Sequence, residues 1–339
     1  METYVGLDVS QKLTSICVMN EGGQRVWQGQ VPTDAGTLAK TIQEHAPGVR
    51  RVGMETGPLA VWLYHALRER GVQVDCIHAR HVHAALSVQL NKTDRNDALG
   101  IAQLVRSGWY RPVQVRSLAS HEMRLLLTAR SQFVSMRTAI SNQIRGILKT
   151  FGVVLGAGKR RKFESGVEAA DPGLCGVKAT VEALLQTWKH LTEQIRLLDR
   201  RIETEARQDP VCRLLMTAPG VGTITAVSFR TAVDDPTRFR RVGDVGPFLG
   251  LVPIKYQSGE VDRSGRISKH GNRQTRSMLY EAAGVILFRI QASSTLKSWA
   301  EQLSRRVGPR KATVALARKL AVVLLSMWRS GCSFEAAAR

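Results

Sequence analysis

Residues 3–31 read TYVGLDVSQKLTSICVMNEGGQRVWQGQV, and their pattern is the strongest indication of the fold of the N-terminal part of the chain. Segments 3–8, 13–20 and 24–31 are either apolar throughout or alternate between apolar and polar residues, which is typical of strands. Short polar linkers separate them, including Asn20-Glu-Gly-Gly23. The stretch therefore predicts three strands joined as an antiparallel meander.

After the meander, helical and strand patterns alternate. In chain order these patterns occupy residues 33–45, 50–55, 58–70, 72–77 and 93–106. Three hairpin strands followed by alternating helices and strands is the element order of an RNase-H-like fold, whose mixed sheet presents acids at its strand ends. We therefore predict an α/β domain over residues 1–110.

Four carboxylates fall where such a fold would bring them together. Asp8 and Glu55 each end an apolar strand, and Asp94 and Asp97 lie three apart on a predicted helix. That spacing puts the last two on one helical face. Two strand-end acids facing such a pair could hold two divalent metals for in-line cleavage of a phosphodiester. Hard oxygen ligands favour Mg²⁺ or Mn²⁺.

The composition favours a polyanionic partner. Lysine and arginine number 49 against 28 aspartates and glutamates, a formal net charge of +21, and this surplus favours nucleic acid over a membrane. Between Arg106 and Lys162 there are twelve basic residues and one acid, Glu122. A solvated helix face could carry such a surplus, but acids are usually mixed in. The arginines of this segment that we expect to contact phosphates are Arg124, Arg130, Arg137 and Arg145.

Disulfides, a structural zinc site and a membrane anchor are not expected. The five cysteines are scattered without a CxxC pair, and the histidines near Cys76 match no common zinc spacing. The N-terminal residues lack a signal-peptide pattern, and the apolar stretch 312–328 is interrupted by Arg318 and Lys319, as in a buried helix. We therefore expect a protein of the reducing bacterial cytoplasm that is associated with the nucleoid.

Residues 111–207 are predicted to form a helical coiled-coil segment that contributes to oligomerisation and nucleic-acid binding. One heptad series is Leu126, Phe133, Ile140 and Ile147. A second helix has Val181, Trp188, Ile195 and Ile202 at one heptad position and Leu184, Leu191 and Leu198 at the other. The two helices could pair as a hairpin or between protomers, and the role of the connector 152–176 stays open.

Residues 208–339 are predicted to be mainly helical. The segment 217–222, TAPGVG, resembles the turn of a helix-hairpin-helix motif. Its glycines, Gly220 and Gly222, would let backbone N–H groups approach a phosphate. An ordinary turn between two helices is the alternative. Residues 310–329 are expected to close the chain as an amphipathic helix.

A second polar constellation, YQSGE, occupies residues 256–260. A serine hydroxyl attacks a phosphate only when its proton is removed and the phosphate charge is neutralised, and arginines supply the second requirement. From chemistry alone Ser258, Ser264 and Ser268 are equal candidates, and all three could merely make turns. The basic residues expected to contact nucleic acid here are Arg263, Arg266, Lys269 and Arg273.

Almost end to end, the chain resembles DEDD transposases of the IS one-ten family, in its IS eleven-eleven branch. The segments GLDVSQK, METG, NKTDRNDA, APGVGTITA, FLGLVPIKYQSGE and SKHGNRQTR occur in the family's order. The resemblance implies a RuvC-like N-terminal domain and a C-terminal transposase domain whose serine nucleophile is Ser258. It also implies the metal ligands, which are Asp8, Glu55, Asp94 and Asp97.

The resemblance further implies a mechanism and partners. Members of this family resemble serine recombinases in using a covalent phosphoserine, and they are associated with a structured noncoding guide RNA encoded by the element's own end. The implied function is RNA-guided recombination between element ends and target DNA by a dimer or tetramer, with no membrane partner. Two alternatives stay open: a Holliday-junction resolvase or related metal-dependent nuclease that uses only the acids and water, and a non-catalytic nucleic-acid scaffold.

Overall fold

A computed structural model describes residues 2–87, 93–156 and 160–334. The first two residues of the NKTDRNDA segment, residues 157–159 of the connector, and residues 335–339 lie outside this description. The chain forms two compact units, Met1–Arg116 and Ser117–Arg339.

The N-terminal unit contains a mixed sheet of six strands within its described residues. The strands are β1 (Thr3–Val9), β2 (Leu13–Asn20), β3 (Arg25–Pro32), β4 (Val49–Glu55), β5 (Val74–Ile77) and β6 (Pro112–Val113). Their spatial order is β3-β2-β1-β4-β5-β6; the first three form an antiparallel meander, and β4 and β5 run parallel to β1. The predicted mixed α/β sheet is confirmed.

The helices of this unit pack on both faces of the sheet. They are α1 (Ala35–His45), α2 (Ala60–Glu69), α3 (Ala79–Leu86) and α4 (Asp94–Ser107). One face, which carries Val5, Leu7 and Ile16, forms a core with α1 and α2. The short helix α3 and the edge strand β6 are additions that the sequence patterns did not predict.

Helix α4 lies unusually close to the other face of the sheet. A Cβ atom on Gly6 would overlap the backbone of Ala98 and Ala102, so only glycine fits there. Two residues earlier on β1, Tyr4 belongs to a buried cluster with Val105, one turn later in the helix. Helix α4 therefore runs antiparallel to β1, and its first turn lies near the point where β1 ends.

The start of α4 is well defined. Thr93 is its N-cap, and the Thr93 hydroxyl accepts a hydrogen bond from the Asn96 N–H at 3.2 Å. Asp94 and Asp97 lie in the first turn, where the helix dipole favours negative charge. The local sequence thus stabilises two carboxylates at this helix end.

In the C-terminal unit, the predicted helical segment forms an antiparallel hairpin within one chain. Its helices are α5 (Leu118–Thr150), α6 (Arg160–Glu168) and α7 (Cys175–Gln208). The indole N–H of Trp188 donates to the Ser141 hydroxyl at 2.8 Å, and Arg130 pairs with Asp199. Early residues of α5 thus meet late residues of α7, so pairing within the chain is the arrangement observed.

In α7 the first predicted heptad position is buried throughout, but the second is buried only at Leu191, with Leu185 buried in place of Leu184. In α5 the buried residues do not follow the predicted series. Helix α7 buries Val181, Trp188, Leu191, Ile195 and Ile202. In α5 the fully buried residues are Leu127, Ile144 and Leu148, which fall beside the predicted series rather than on it. The reason is that α5 also packs on α6 and on the C-terminal core, so its buried stripe does not follow α7 alone.

The connector between α5 and α7 closes one end of the hairpin. On α6, the Phe163 ring lies 5.2 Å from the Trp188 ring. Lys189 of α7 contacts the carboxylates of Glu164 at 3.2 Å and Glu168 at 2.6 Å. This short helix therefore gives part of the connector a packing role that the sequence did not reveal.

The remaining helices form one large core. They are α8 (Pro210–Leu215), α9 (Thr223–Val233), α10 (Val245–Phe248), α11 (Arg273–Phe288), α12 (Thr295–Val307) and α13 (Pro309–Ser330). The C-terminal region is mainly helical, as predicted, and Leu316, Leu320 and Leu324 of α13 are fully buried. Among the helices described, none is long and apolar enough to span a membrane.

The predicted boundaries at 110 and 207 differ from the compact units. Leu127 of α5 and Ile202 and Ala206 of α7 belong to the same buried cluster as α9, α11 and α13. The helical hairpin is therefore built into the C-terminal unit instead of standing as a separate middle domain.

The close packing of α4 makes a stability prediction. Gly6→Ala should lower the free energy of unfolding by about 1–3 kcal/mol, because the new methyl group meets helix backbone that cannot move aside. Gly57→Ala is the matched control, since a Cβ there meets nothing within 4 Å. Urea unfolding followed by circular dichroism compares the two variants. Equal unfolding midpoints for both would contradict the close approach of α4 to β1.

Candidate catalytic residues and nucleic-acid-binding surfaces

Asp8 and Glu55 occupy equivalent positions on adjacent parallel strands. Leu7 of β1 is paired with Met54 of β4, and both side chains are fully buried on the face packed by α1 and α2. Because side chains alternate along a strand, the next residues, Asp8 and Glu55, point to the opposite face, which α4 covers. Both acids are partly exposed.

The direction of α4 brings the other two acids to the same end of the sheet. Asp94 and Asp97 lie in its first turn, next to the end of β1. Within the described residues, however, no three acidic, histidine or cysteine side chains converge as a metal-binding group. The backbone thus brings four acid-bearing positions to one end of the sheet, and their joint binding of a metal stays a prediction.

A row of polar residues supports this end of the sheet. Ser15 of β2 lies directly opposite Asp8, is buried, and accepts a hydrogen bond from the Gln30 side chain at 2.9 Å. Gln28, two residues earlier on β3, donates to the backbone carbonyl of Arg95 at 2.8 Å. These residues are not among those predicted from the sequence, although polar side chains at alternate positions of a strand indicate them.

The second constellation forms an exposed β-hairpin on the C-terminal unit. Its strands are β7 (Pro253–Ser258) and β8 (Val261–Ile267), joined by the two-residue turn Gly259-Glu260. Gly259 has φ +54°, a conformation that glycine adopts without strain. Ser258 is thus the last residue of β7, at the tip of the hairpin.

The hairpin separates the three candidate serines. Ser258 is paired with Val261 and shares a face with Tyr256, whose cross-strand partner is Arg263. Arg263 therefore lies diagonally from Ser258 on the same face. Ser264 is paired with Lys255 on the other face. Ser268 lies at the root of the hairpin, where its N–H donates to the Val252 carbonyl at 2.8 Å.

The root of the hairpin is fixed by close backbone contacts. A Cβ on Gly250 would overlap His270, and a Cβ on Gly271 would overlap the carbonyl of Phe248. One guanidinium nitrogen of Arg276 donates to the carbonyls of Leu249 and His270, both at 2.9 Å. Burial lowers the pKa of Arg276. Arg276 is therefore structural, although it belongs to the same basic run as the predicted nucleic-acid contacts.

The predicted nucleic-acid contacts around the hairpin are exposed. Arg263 and Arg266 lie on β8, and Lys269 follows it with φ +56°, a conformation that side chains rarely adopt. Arg273 is the first residue of α11, where the helix dipole opposes a positive charge. An anion bound at that helix end would compensate this cost. Their contact with nucleic acid stays a prediction.

The arginines of α5 make several contacts within the protein. Arg130 pairs with Asp199, and the guanidinium of Arg145 lies 4.5 Å from the centre of the Phe163 ring. Arg124 and Arg137 are partly buried beside the same helix pair. Two of the four predicted phosphate contacts thus also stabilise the helical hairpin, and their role toward nucleic acid stays a prediction.

The two glycines of the TAPGVG turn lie in different surroundings. Gly220 has φ +74°, and a Cβ there would come within 2.7 Å of the Ala282 carbonyl, so packing on α11 accounts for this glycine. Gly222 is the N-cap of α9 and faces open space. The adjoining cavity is lined by Asp199 and Glu203 as well as Arg130. Phosphate binding at this turn stays a prediction.

The cysteines are free, as expected from their spacing. Burial raises the pKa of Cys17 to about 11 and those of Cys76 and Cys212 to about 12. Cys175 and Cys332 are exposed but far apart in the sequence and unpaired. The buried thiols therefore stay protonated at neutral pH, and a protonated thiol is a poor nucleophile.

Arg276 and Arg273 provide a test that separates structure from binding. Arg276→Met should lower the free energy of unfolding by about 1–3 kcal/mol, because two backbone carbonyls lose a charged donor. Arg273→Met should change stability by less than about 0.5 kcal/mol, as at an ordinary exposed site, but should weaken nucleic-acid binding. Thermal unfolding and an oligonucleotide-binding titration measure the two effects. A loss of stability in Arg273→Met, or weaker nucleic-acid binding in a stable Arg276→Met, would contradict these roles.

Comparison with known proteins identifies the family. Residues 5–152 match a DEDD transposase model of the IS110 type, described as "Transposase", and residues 212–299 match a model described as "Transposase IS116/IS110/IS902 family". A search of solved structures gives T. thermophilus RuvC in complex with a Holliday junction substrate, at a TM-score of 0.27 and 18% identity, covering 33% of this chain and 100% of that chain. That similarity is too low to support an argument.

Two transposases match over most of their length. The chain is 28% identical over 328 residues to the transposase for insertion sequence element IS1111A of Coxiella burnetii, covering 95% of this chain and 88% of that protein. It is 28% identical over 289 residues to the transposase for insertion sequence element IS1328 of Yersinia enterocolitica, covering 84% of this chain and 85% of that protein. With one family model in each compact unit and relatives aligned across both, the chain belongs to the IS110 family of DEDD transposases.

Proposed function

We propose that this transposase cuts and rejoins the DNA strands of an insertion sequence by a metal-assisted attack of the Ser258 hydroxyl. The observation that carries the proposal is the placement of four acid-bearing positions at one end of the RNase-H-like sheet. Asp8 and Glu55 end adjacent parallel strands, and Asp94 and Asp97 begin the helix that packs across them. Such a set of carboxylates suits chemistry on a phosphodiester.

The donor chemistry fits Mg²⁺ or Mn²⁺. Carboxylate oxygens are the ligands that these hard ions prefer, and the four acids are Asp8, Glu55, Asp94 and Asp97. When bound, the ion would supply positive charge to offset the negative charge that develops on the scissile phosphate. The Thr93 cap and the hydrogen bond from Gln28 to the Arg95 carbonyl hold the first turn of α4, which carries Asp94 and Asp97.

In the proposed reaction the nucleophile is the hydroxyl of Ser258, an exposed residue at the tip of the hairpin. In the first step its Oγ forms a bond to phosphorus while the bond from phosphorus to the 3′ oxygen breaks. The hydroxyl proton is lost to a base, and the departing 3′ oxygen takes up a proton, leaving a free 3′-OH and a 5′-phosphoserine. Arg263, diagonal to Ser258 on the same hairpin face, would neutralise phosphate charge.

Rejoining reverses this step with a different strand. The 3′-OH of a partner strand attacks the phosphoserine, the Oγ–phosphorus bond breaks, and Ser258 regains its proton. One phosphodiester is lost and one is formed, so no external energy source is needed. The proposed partners are the element ends and target DNA, a structured guide RNA, and further copies of this chain in a dimer or tetramer, because exchange requires several cleavages in one complex.

The first test of this proposal concerns Ser258. In the presence of Mg²⁺ and cognate nucleic acids, the wild type should form a protein–DNA adduct that survives denaturation and maps to Ser258 by peptide mass. Ser258→Ala should abolish the adduct and recombination, while stability changes by less than about 0.5 kcal/mol because the residue is exposed. Ser264→Ala, on the opposite hairpin face, is the matched control and should keep both activities.

Other outcomes would identify other mechanisms. Full recombination by Ser258→Ala would exclude the serine step, and continued cleavage without any adduct would favour a resolvase-like reaction with water. An adduct on Ser264 or Ser268 would keep the covalent chemistry and refute the assignment to Ser258.

The second test concerns the acids. Asp8→Asn and Glu55→Gln keep side-chain size but remove the charge that offsets a cation, so each should reduce strand cleavage by about 100-fold or more, as for loss of other major electrostatic contributions. Glu69→Gln, an exposed acid at the end of α2, is the control and should cleave normally. Gel assays of cleavage with and without a chelator make the measurement. Wild-type cleavage by Asp8→Asn in chelator would rule out the metal site.

A further inference from the structure

The N-terminal unit has a second concave site at the other end of α4. A cavity of about 460 Å³ is lined by His81, Ala84 and Ala85 of α3 and by Leu104, Gly108, Trp109, Tyr110 and Arg111. On α4 the cavity wall begins at Leu104, which follows Asp97 by two turns, or about 10 Å at 1.5 Å per residue, and it extends past the C-terminal end of the helix. It is therefore separate from the proposed catalytic acids.

Trp109 gives this cavity an unusual wall. The side chain is 82% exposed, whereas indoles in folded proteins are mostly buried. Gly108 ends α4 with φ +68° and turns the chain outward, and the Trp109 N–H donates to the Ser107 hydroxyl at 3.3 Å. The backbone thus holds a flat aromatic ring at the surface, beside a cavity and without a covering layer among the described residues.

The other walls are apolar or positively charged. Ala84, Ala85 and Leu104 form a smooth apolar side, which leaves room for a planar ring. Tyr110 donates its hydroxyl to Asp75, so the one nearby carboxylate on β5 is already engaged. Burial and Asp75 raise the pKa of Tyr110, which keeps the phenol protonated as the donor.

Two arginines lie at this cavity. Arg111 lines it, and the guanidinium of Arg51 lies against Gly108. A planar aromatic wall beside fixed cations matches a nucleobase whose flanking phosphates are negatively charged.

We infer that this cavity binds an unpaired nucleobase of single-stranded nucleic acid. Trp109 stacks on the base, and Arg111 contacts a flanking phosphate. The inference rests on the proposed nucleic-acid function but not on Ser258 or the acids. A cavity of this size falls within the range of about 300–1,000 Å³ that is typical of small-ligand sites, and the net charge of +21 makes a polyanion a more fitting occupant than a neutral molecule.

The test compares base-containing and abasic strands. Short single-stranded oligonucleotides of equal length are titrated into the full chain in the presence of a chelator, so that binding is measured without cleavage. Trp109→Ala should bind the base-containing strand roughly 10-fold more weakly, because stacking on one aromatic ring is lost. The same variant should bind the abasic strand as the wild type does, since only phosphate contacts remain there.

Trp62→Ala is the matched control. Trp62 is 46% exposed on α2 and does not line the cavity, so its loss should change neither affinity. Trp109→Phe should retain most of the affinity for the base-containing strand. Binding of that strand should quench tryptophan fluorescence less in this variant than in the wild type, because the indole next to the base is removed. Arg111→Gln should flatten the dependence of log affinity on log salt by about 0.7, the value for one single-strand phosphate contact.

The outcomes separate this inference from the proposed reaction. Equal weakening on both strands would show that Trp109 does not stack on a base, and unchanged affinity on both would overturn the site altogether. Either result leaves the Ser258 adduct unaffected. Parallel titrations with RNA and DNA strands identify the source of the base. If Trp109 raises the affinity for base-containing over abasic RNA, the base belongs to the guide. If it does so for DNA, the base belongs to an unpaired stretch of the element or target.

Discussion

The close contact between α4 and the central strands is the constraint on which the N-terminal unit depends. Gly6 of β1 and Gly53 of β4 lie side by side, and a Cβ on either would overlap α4. Because neither strand carries a side chain there, the helix approaches the sheet at backbone distance. The same contact sets the direction of α4, and that direction brings Asp94 and Asp97 to the strand ends that carry the other acids. The contact that packs α4 on the sheet therefore also determines where the two candidate catalytic acids of α4 lie.

In the C-terminal unit an exposed hairpin is anchored on a helical core. Strands β7 and β8 are exposed along almost their whole length and contribute little to the core. Their root is fixed instead by backbone contacts at Gly250 and Gly271 and by the two hydrogen bonds of Arg276. A two-stranded hairpin alone is marginal in water. Anchoring at the root is therefore what positions Ser258.

Positive charge has more than one use in this chain. Arg276 joins two backbone carbonyls, Arg130 pairs with Asp199, and Arg145 packs on Phe163, so these side chains act within the protein. Arg263 and Arg111 lie on open surfaces and are available to an anion. A surplus of basic residues predicts a polyanionic partner, but it does not say which arginines meet that partner, since burial and pairing depend on neighbours from distant parts of the chain.

Sequence patterns alone predict the meander, the order of the longer helices and strands in the N-terminal unit, and the positions of Asp8, Glu55, Asp94 and Asp97 at element ends, because side-chain periodicity and capping are local. They do not predict α3 or β6. Only the tertiary structure decided that α5 and α7 pair within one chain, that α5 buries Leu127 and not Leu126, and that Gly220 packs on α11. It also placed Ser258 and Ser264 on opposite faces of one hairpin. These features depend on register and on contacts between residues far apart in sequence, which local patterns do not encode.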